Sequence, residues 1–215
     1  MLDDKLDEKM MKKEVLTETE RKIVKENFVG FLKRKYNPII RPQTEALLRE
    51  IVRKNKPQKI LEIGTFLGYS AAVMLQESSN ATLVTLEKDA ENCQDAFKNL
   101  SNLNFGGRFE IVCCDAWNFL QSCNEKFDLI FLDGPKGQYA KYLSEIKRIL
   151  KTGGVLVCDD ILFHGYVQAD GTVKHKHRTI VENMRAFIKE IQKDTDFEAK
   201  FFNFEDGVAV VYKRG

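Results

Sequence analysis

KILEIGTFLGYS, residues 59–70, joins an apolar run to a segment with two glycines four positions apart. An apolar run that leads through glycine into a helix-compatible segment is typical of a strand followed by a helix. Because glycine has no Cβ, the chain can bend sharply at Gly64 and Gly68 and approach a ligand closely. The spacing is G-x-x-x-G and not the G-x-G-x-x-G of dinucleotide-binding proteins. The stretch therefore favours a ligand with an adenosine but no pyrophosphate, although a plain tight turn would also explain it.

Four further apolar runs are each followed by a segment that can be helical. They are ATLVTLE (81–87), FEIVCCD (109–115), FDLIFLD (127–133) and GVLVCDD (154–160). Strands that alternate with helices predict a parallel sheet with helices on both faces. Near the end of the chain, FEAKFFNF (197–204) and VAVVYK (208–213) flank a turn signal and predict an antiparallel hairpin. The predicted fold is α/β, with a seven-stranded, mostly parallel sheet and one antiparallel strand near its edge.

A polar residue or a glycine ends each of the five runs. These residues are Gly64, Glu87, Asp115, Asp133 and Asp159. In open α/β sheets, ligands bind at the carboxyl ends of the strands, so the five residues outline one site. Each of them by itself could also cap a helix or form a turn. An acid at Glu87 can accept hydrogen bonds from both hydroxyls of a ribose.

Residues near these strand ends leave alternatives open. Asp115, Ala116 and Trp117 follow the third strand, where an adenine would lie. Trp117 could stack on that adenine or pack in the core. The hydroxyl of Ser70 could bind the ligand or cap the helix.

Three carboxylates are expected to converge at the ends of the fourth and fifth strands. Asp133 ends the fourth strand, and Asp159 and Asp160 end the fifth. Charges about 4 Å apart repel by roughly 4 kcal/mol at an intermediate dielectric, so a shared proton, a basic partner or a cation must offset them. Oxygen ligands favour Mg²⁺, Mn²⁺ or Ca²⁺ over zinc. Lys136, near such a cation, could have a lowered pKa and act as a general base. A simple capping role for Asp159 or Asp160 is the alternative.

The composition is that of a soluble globular protein. The chain has 215 residues, of which 43% are hydrophobic and 31% charged, and its net charge of +2 identifies no partner. Five cysteines without a C-x-x-C pair argue against a disulfide framework and a zinc site. No apolar run reaches the roughly 18 residues of a membrane span, and no signal core is present, so we expect a cytoplasmic protein.

The spacing of apolar residues divides the chain into an N-terminal segment and one domain. Residues 1–16 are polar, and we expect them to be flexible. Apolar residues at helical spacing predict a helix over 17–35 and a second helix after Pro42. We therefore expect a single domain over 17–215, in which residues 17–56 form a helical cover.

EIGTFLGYS (62–70) resembles the E-(I/L)-G-x-x-x-G-Y-S signature of the cation-dependent class I O-methyltransferases of the caffeoyl-CoA and catechol type. The resemblance covers roughly residues 38–215 and implies a Rossmann-like fold that binds S-adenosylmethionine. The cofactor-binding residues that it implies are Ile40, Glu62, Gly64, Gly68, Ser70, Glu87, Asp115, Ala116 and Asp133. It also implies catalysis by Lys136 and Asp133, and a metal site, most simply for Mg²⁺, at Asp133, Asp159 and Asp160. The family has D-x-x-K followed by D-N, so Asp160 replaces an asparagine and adds a negative charge.

Other stretches resemble one bacterial branch of this family, whose members methylate 5-hydroxyuridine at the tRNA wobble position to 5-methoxyuridine. They are DGPKGQY (133–139), DDILFHG (159–165) and DGVAVVYK (206–213). The branch reads D-A-A-K-G-Q-Y, so Gly134 and Pro135 replace two alanines. The resemblance also implies a homodimer.

Local basic clusters give weak independent support for a tRNA partner. LKRKY (32–36), RKNKPQK (53–59) and VKHKHR (173–178) could hold tRNA phosphates, or they could be ordinary solvated charges. Flipped single-stranded bases are what a pocket can bind. Methylation of a small catechol or phenol at the same site is the main alternative. A binding protein without chemistry is a third, but Lys136 and the three acids argue against it.

Overall fold

The computed structural model of the chain describes residues 28–30, 39–169, 173 and 175–215. The predictions for 1–16, and for the helix over 17–35 except at 28–30, lie outside these described residues. So do the whole basic cluster at 32–36 and Lys174 of the cluster at 173–178.

Seven described strands form one sheet in the order β3-β2-β1-β4-β5-β7-β6. They are β1 (Lys59–Ile63), β2 (Thr82–Glu87), β3 (Phe109–Cys113), β4 (Phe127–Leu132), β5 (Leu150–Cys158), β6 (Phe197–Phe202) and β7 (Val208–Lys213). The first five strands are parallel, and β7 is antiparallel to both β5 and β6. The predicted mixed sheet with one antiparallel strand next to its edge is confirmed.

Helices follow most of the strands. The described ones are α1 (Pro42–Asn55), α2 (Tyr69–Glu77), α3 (Ala90–Asn102), α4 (Ala116–Ser122), α5 (Tyr139–Ile149) and α6 (Arg178–Lys193), with short 3-10 helices at Lys136–Gln138 and His175–His177. In α6 the buried residues Val181, Met184, Phe187 and Ile191 recur at helical spacing, so one face of the helix enters the core.

The two faces of the sheet are covered by separate cores. Along β5, Val155 and Val157 pack with α1 and α2, whereas Leu156 and Cys158 pack with α5 and α6. This alternation follows from the two-residue period of a strand, and burial on both faces explains the continuous apolar run. The apolar half of GVLVCDD is therefore a central strand.

The cysteines and the apolar character of the described helices bear on the expectations from the composition. All five cysteines are free thiols, and three of them are buried. Among the described residues, no helix combines the length and the apolar character that a membrane crossing needs.

Candidate active site

A cavity of about 410 Å³ lies at the carboxyl ends of the parallel strands. The predicted site residues that line it are Ile40, Gly64, Ser70, Glu87, Asp115, Ala116, Asp133, Lys136, Asp159 and Asp160. Parallel strands end on the same edge of the sheet, which is why residues so far apart in sequence meet here. Two residues that the resemblance assigned to cofactor binding, Glu62 and Gly68, do not line the cavity.

Gly64 allows β1 and β4 to end close together. Its φ is +106°, and a Cβ at this position would lie 2.4 Å from the carbonyl oxygen of Asp133. No side chain fits at that distance, so the close approach of the two strand ends requires glycine. Gly68 has φ +83° and precedes the first residue of α2, where it shapes the turn without contacting the cavity.

Glu62 is fully buried beneath the cavity. Its two carboxyl oxygens lie 2.5 Å from the hydroxyls of Ser70 and Thr85. Burial raises the pKa of Glu62 to about 8, so the carboxyl is mostly protonated at neutral pH. Through its contacts with Ser70 and Thr85, Glu62 therefore links β1 to α2 and β2 beneath the cavity. Ser70 lines the cavity and lies inside α2, and its side chain does not cap the helix.

Backbone N–H groups hold the carboxylate of Glu87 at the end of β2. One oxygen accepts from Phe66 at 2.9 Å, and the other accepts from Lys88 at 2.8 Å and Asp89 at 2.9 Å. Three charge-assisted hydrogen bonds fix the orientation of the group at the wall of the cavity. Phe66 and Lys88 also line this part of the cavity, and the sequence reasoning did not identify either residue.

Asp115 both caps a helix and lines the cavity. Its side chain accepts a hydrogen bond from the N–H of Trp117 at 3.0 Å and so begins α4. The Trp117 ring stacks on Tyr142, with centroids 6.3 Å apart, and the Lys141 ammonium lies 4.2 Å from the Trp117 ring centroid. Trp117 therefore packs against neighbouring side chains, and its stacking partner Tyr142 lines the cavity.

The three predicted acids and Lys136 do meet at the ends of β4 and β5. The Lys136 Nζ lies 2.5 Å from Asp133 Oδ1 and 3.2 Å from Asp160 Oδ2. Asp159 accepts the backbone N–H of Asp160 at 2.8 Å. Burial and the charges of Asp133 and Asp160 raise the pKa of Asp159 to about 8. The cluster thus holds three carboxyl groups against one ammonium, and burial and their crowding keep Asp159 mostly protonated at neutral pH.

The acids around Lys136 set the direction of its pKa shift. Burial lowers the pKa of a lysine, but the charges of Asp133 and Asp160 outweigh burial here and hold the pKa of Lys136 well above its usual value. In this arrangement the lysine is an ammonium ion that partly neutralises the acids. The lowering of this pKa by a nearby cation stays a prediction.

Asp160 has a left-handed backbone conformation, with φ +55°. Asparagine and aspartate adopt this region more readily than other residues with a side chain. Aspartate at position 160, where the resemblance implies asparagine, can therefore adopt the same local backbone. The difference between the two residues is the added negative charge.

The donor chemistry of the cluster fits a hard divalent cation, because carboxylate oxygens are the ligands that Mg²⁺, Mn²⁺ and Ca²⁺ prefer. The burial and crowding that raise the pKa of Asp159 point in the same direction, because a bound cation would favour the ionised carboxyls. Among the described residues, however, no three His, Cys, Asp or Glu side chains are already arranged as a metal-binding group. The ammonium of Lys136 instead lies against Asp133 and Asp160.

Three residues that the sequence reasoning missed hold this end of the sheet together. The Tyr139 hydroxyl is buried and lies 2.9 Å from the carbonyl oxygen of Leu132, at the end of β4. The Thr44 hydroxyl lies 2.9 Å from Glu205 and 3.4 Å from Asp159, and Glu205 also accepts the N–H of Thr44 at 3.0 Å. These contacts fix the start of α1 against the acids. No local motif marks Thr44 and Glu205, because they are 161 positions apart.

Comparison with known proteins identifies the relatives of the chain. A family model described as O-methyltransferase matches residues 10–214. A catechol O-methyltransferase of Niastella koreensis is 29% identical over 133 residues, which are 60% of this chain and 60% of that protein. The chain therefore aligns with less than two thirds of that relative's length.

Solved structures share the fold. A Klebsiella pneumoniae protein classed as an O-methyltransferase superposes with a TM-score of 0.79 at 26% identity, over 100% of this chain and 96% of the other. The O-methyltransferase TomG of Streptomyces achromogenes, solved in complex with S-adenosylmethionine, gives a TM-score of 0.76 at 23% identity over 86% and 85% of the two chains. Because TomG is only 23% identical to this chain, its similarity supports the fold alone.

Proposed function

The chain belongs to the O-methyltransferase family, and we propose that it transfers the methyl group of S-adenosylmethionine to a ring hydroxyl held beside Lys136. One observation carries this proposal: a single cavity extends from Glu87 and Asp115 to the cluster of Asp133, Lys136 and Asp159. One end of the cavity suits a nucleoside and the other suits an acid–base reaction, as a methyl transfer between two bound molecules requires.

The nucleoside end supplies polar groups at fixed positions. Glu87, oriented by three backbone N–H groups, can accept hydrogen bonds from the two ribose hydroxyls. Asp115 and Ala116 border the place for the adenine, and Ile40 borders the place for the methionine end. S-adenosylmethionine, when bound, supplies a methyl group on a positively charged sulfur.

The reactive end binds the acceptor and takes up its proton. Asp133, Asp159 and Asp160 would hold a divalent cation, which we propose to be Mg²⁺, and such a cation makes a nearby hydroxyl more acidic. Neutralising these carboxylates also removes the charges that keep the pKa of Lys136 high. Lys136 can then accept the hydroxyl proton as a general base.

The acceptor that we propose is 5-hydroxyuridine at the wobble position of tRNA. The support is the resemblance of KGQY (136–139) and LFHG (162–165) to the tRNA-modifying branch, together with exposed basic residues next to the site. Lys176 lies in the 3-10 helix His175–His177, and Arg178 is the first residue of α6. That helix contacts the Lys136–Gln138 turn, because Asn183 donates to the carbonyl oxygen of Gly137 at 2.8 Å. A cytoplasmic location and a homodimer are part of this proposal.

A small catechol or phenol is the second candidate acceptor. It is favoured by the similarity to the catechol O-methyltransferase of N. koreensis. The chemistry would be the same, since both acceptors present a hydroxyl on a planar ring to Lys136 and the acids.

Methyl transfer by a pair of lysine variants tests the proposed chemistry. Lys136→Ala should lower transfer from labelled S-adenosylmethionine by about 100-fold or more, the usual contribution of a general base. Lys151→Ala is the matched control, because Lys151 forms a similar 2.7 Å ion pair with Asp128 at the opposite end of the sheet. Cofactor binding, measured by calorimetry, should persist in both variants. Wild-type turnover in Lys136→Ala would refute the role of the lysine, and no transfer by the wild type to tRNA or catechol would refute the function.

A further inference from the structure

Four aromatic rings meet beside the acidic end of β5. Phe163 lies 5.3 Å from His164, 6.3 Å from Tyr166 and 5.5 Å from His177, measured between ring centroids. Tyr166 and His177 stack with centroids 5.6 Å apart and planes at 25°. We call these four residues the ring cluster. None of them is buried, unlike the rings of Tyr139 and Phe187, which make a similar contact inside the core.

The ring cluster lies near the reactive end of the cavity, although none of its four residues lines the cavity. The N–H of Phe163 donates to the carbonyl oxygen of Asp160 at 3.3 Å. His177 immediately precedes α6, which contacts the Lys136–Gln138 turn through Asn183. A molecule whose hydroxyl reaches Lys136 and Asp160 would meet these rings if it leaves the cavity past Phe163.

Hydrogen bonds hold the segment that carries three of the four rings. The Arg185 guanidinium donates to the carbonyl oxygens of Val167 at 3.0 Å and Ala169 at 2.8 Å. The buried Asp206 accepts the N–H of His164 at 2.5 Å. A fixed segment with partly exposed rings is a preorganised surface, and binding to it requires little further ordering.

Two cationic side chains lie next to His177 of the ring cluster, whereas His164 lies against Asp206. Lys176 and Arg178 flank His177 in the chain, and both side chains are exposed. Partly exposed aromatic rings combined with cationic side chains are the usual means of binding single-stranded nucleic acid, since the bases stack on the rings while the cations contact the phosphates.

We propose that the ring cluster stacks an unpaired anticodon base next to the methylated nucleotide, while Lys176 and Arg178 contact the adjoining phosphates. This proposal rests on the proposed function, in which tRNA is the acceptor. It explains how a cavity of about 410 Å³ can act on one nucleotide of a large molecule: the neighbouring base is held outside the cavity.

Binding of an anticodon stem-loop RNA that carries 2-aminopurine next to the wobble uridine tests the proposal. Stacking quenches 2-aminopurine fluorescence, so the wild type should quench it on binding. Tyr166→Leu should weaken RNA binding by about 5- to 100-fold, the range expected for one base–aromatic stack, and should reduce the quenching. Tyr166→Phe keeps the ring and should behave like the wild type. Phe97→Leu is the matched control, because Phe97 is an exposed ring on α3, away from the cavity.

The possible outcomes separate the two proposals. If the wild type methylates tRNA but Tyr166→Leu binds and quenches like the wild type, the ring cluster has no such role and the proposed function stands. An equal loss of S-adenosylhomocysteine binding and RNA binding in Tyr166→Leu would also overturn the proposal, since it would indicate a structural role. His177→Leu provides a second, independent variant with the same expected loss. If the wild type neither binds nor methylates tRNA, both proposals are wrong for this acceptor.

Discussion

Replacing Glu62 by glutamine tests whether this carboxyl is a buried neutral group. Glu62 is fully buried, and its pKa rises from 4.5 to about 8 on folding, mainly through burial. Because the folded-state pKa is the higher one, the folded protein favours the protonated form. The stabilisation is complete below pH 4.5 and is lost as the pH rises through about 8. Within that window, each pH unit lowers the free energy of unfolding by about 1.4 kcal/mol at most.

The pKa shift of Glu62 sets the size of the expected change in the free energy of unfolding. Between pH 5 and pH 7, the ionisation of Glu62 in the unfolded chain should destabilise the wild type by about 2–3 kcal/mol. Glutamine cannot ionise, and its amide can keep one donor and one acceptor contact with the hydroxyls of Ser70 and Thr85. The free energy of unfolding of Glu62→Gln relative to the wild type should therefore rise by about 2–3 kcal/mol over this range.

Urea denaturation at several pH values between 5 and 8 measures this difference. Other groups that titrate, such as Asp159, are present in both proteins and cancel. Glu110→Gln is the control, because Glu110 is exposed on β3 and should show no such trend. Binding of S-adenosylmethionine to Glu62→Gln should change little, since Glu62 does not line the cavity. Parallel pH profiles for the wild type and Glu62→Gln would refute the reasoning, and a large loss of cofactor binding would restore the direct role that the resemblance implied.

Three further predictions concern the turn, the support of the acids and the cation. Gly64→Ala should lower the free energy of unfolding by at least about 2 kcal/mol in urea denaturation, because the added Cβ would overlap Asp133. Gly106→Ala is the control: it has open space around it and should lower the free energy of unfolding by only about 1 kcal/mol. Equal losses in the two variants would contradict this prediction. Thr44→Val should lower kcat roughly 10-fold with unchanged cofactor affinity, because it removes the hydroxyl beside Asp159. An unaltered kcat would show that Thr44 does not support Asp159. A chelator should abolish methyl transfer and added Mg²⁺ should restore it, whereas full activity in chelator would rule out the cation.

The sheet could be predicted because its signals are local and strong. Apolar runs buried on both faces, such as the one that ends at Asp159, give continuous hydrophobic stretches, and the turn at Gly64 has its own residue pattern. Once the strands are parallel, their carboxyl ends share one edge, so the meeting of Asp133, Asp159 and Lys136 followed from topology.

Other features depend on distances that no local pattern encodes. Glu62 belongs to a recognisable motif, but its hydrogen bonds below the cavity depend on the packing of α2 against β1 and β2. The direction of the pKa shift of Lys136 depends on its ångström-scale separation from two carboxylates. Thr44 meets Glu205 only because the turn after β6 packs against the start of α1.

The destination of a labelled methyl group decides between the two acceptors. The purified protein is incubated with labelled S-adenosylmethionine, Mg²⁺ and either tRNA that carries 5-hydroxyuridine or catechol. The proposed function predicts label at the wobble position of the tRNA and its loss on chelation. Label in catechol with none in tRNA would contradict the tRNA acceptor.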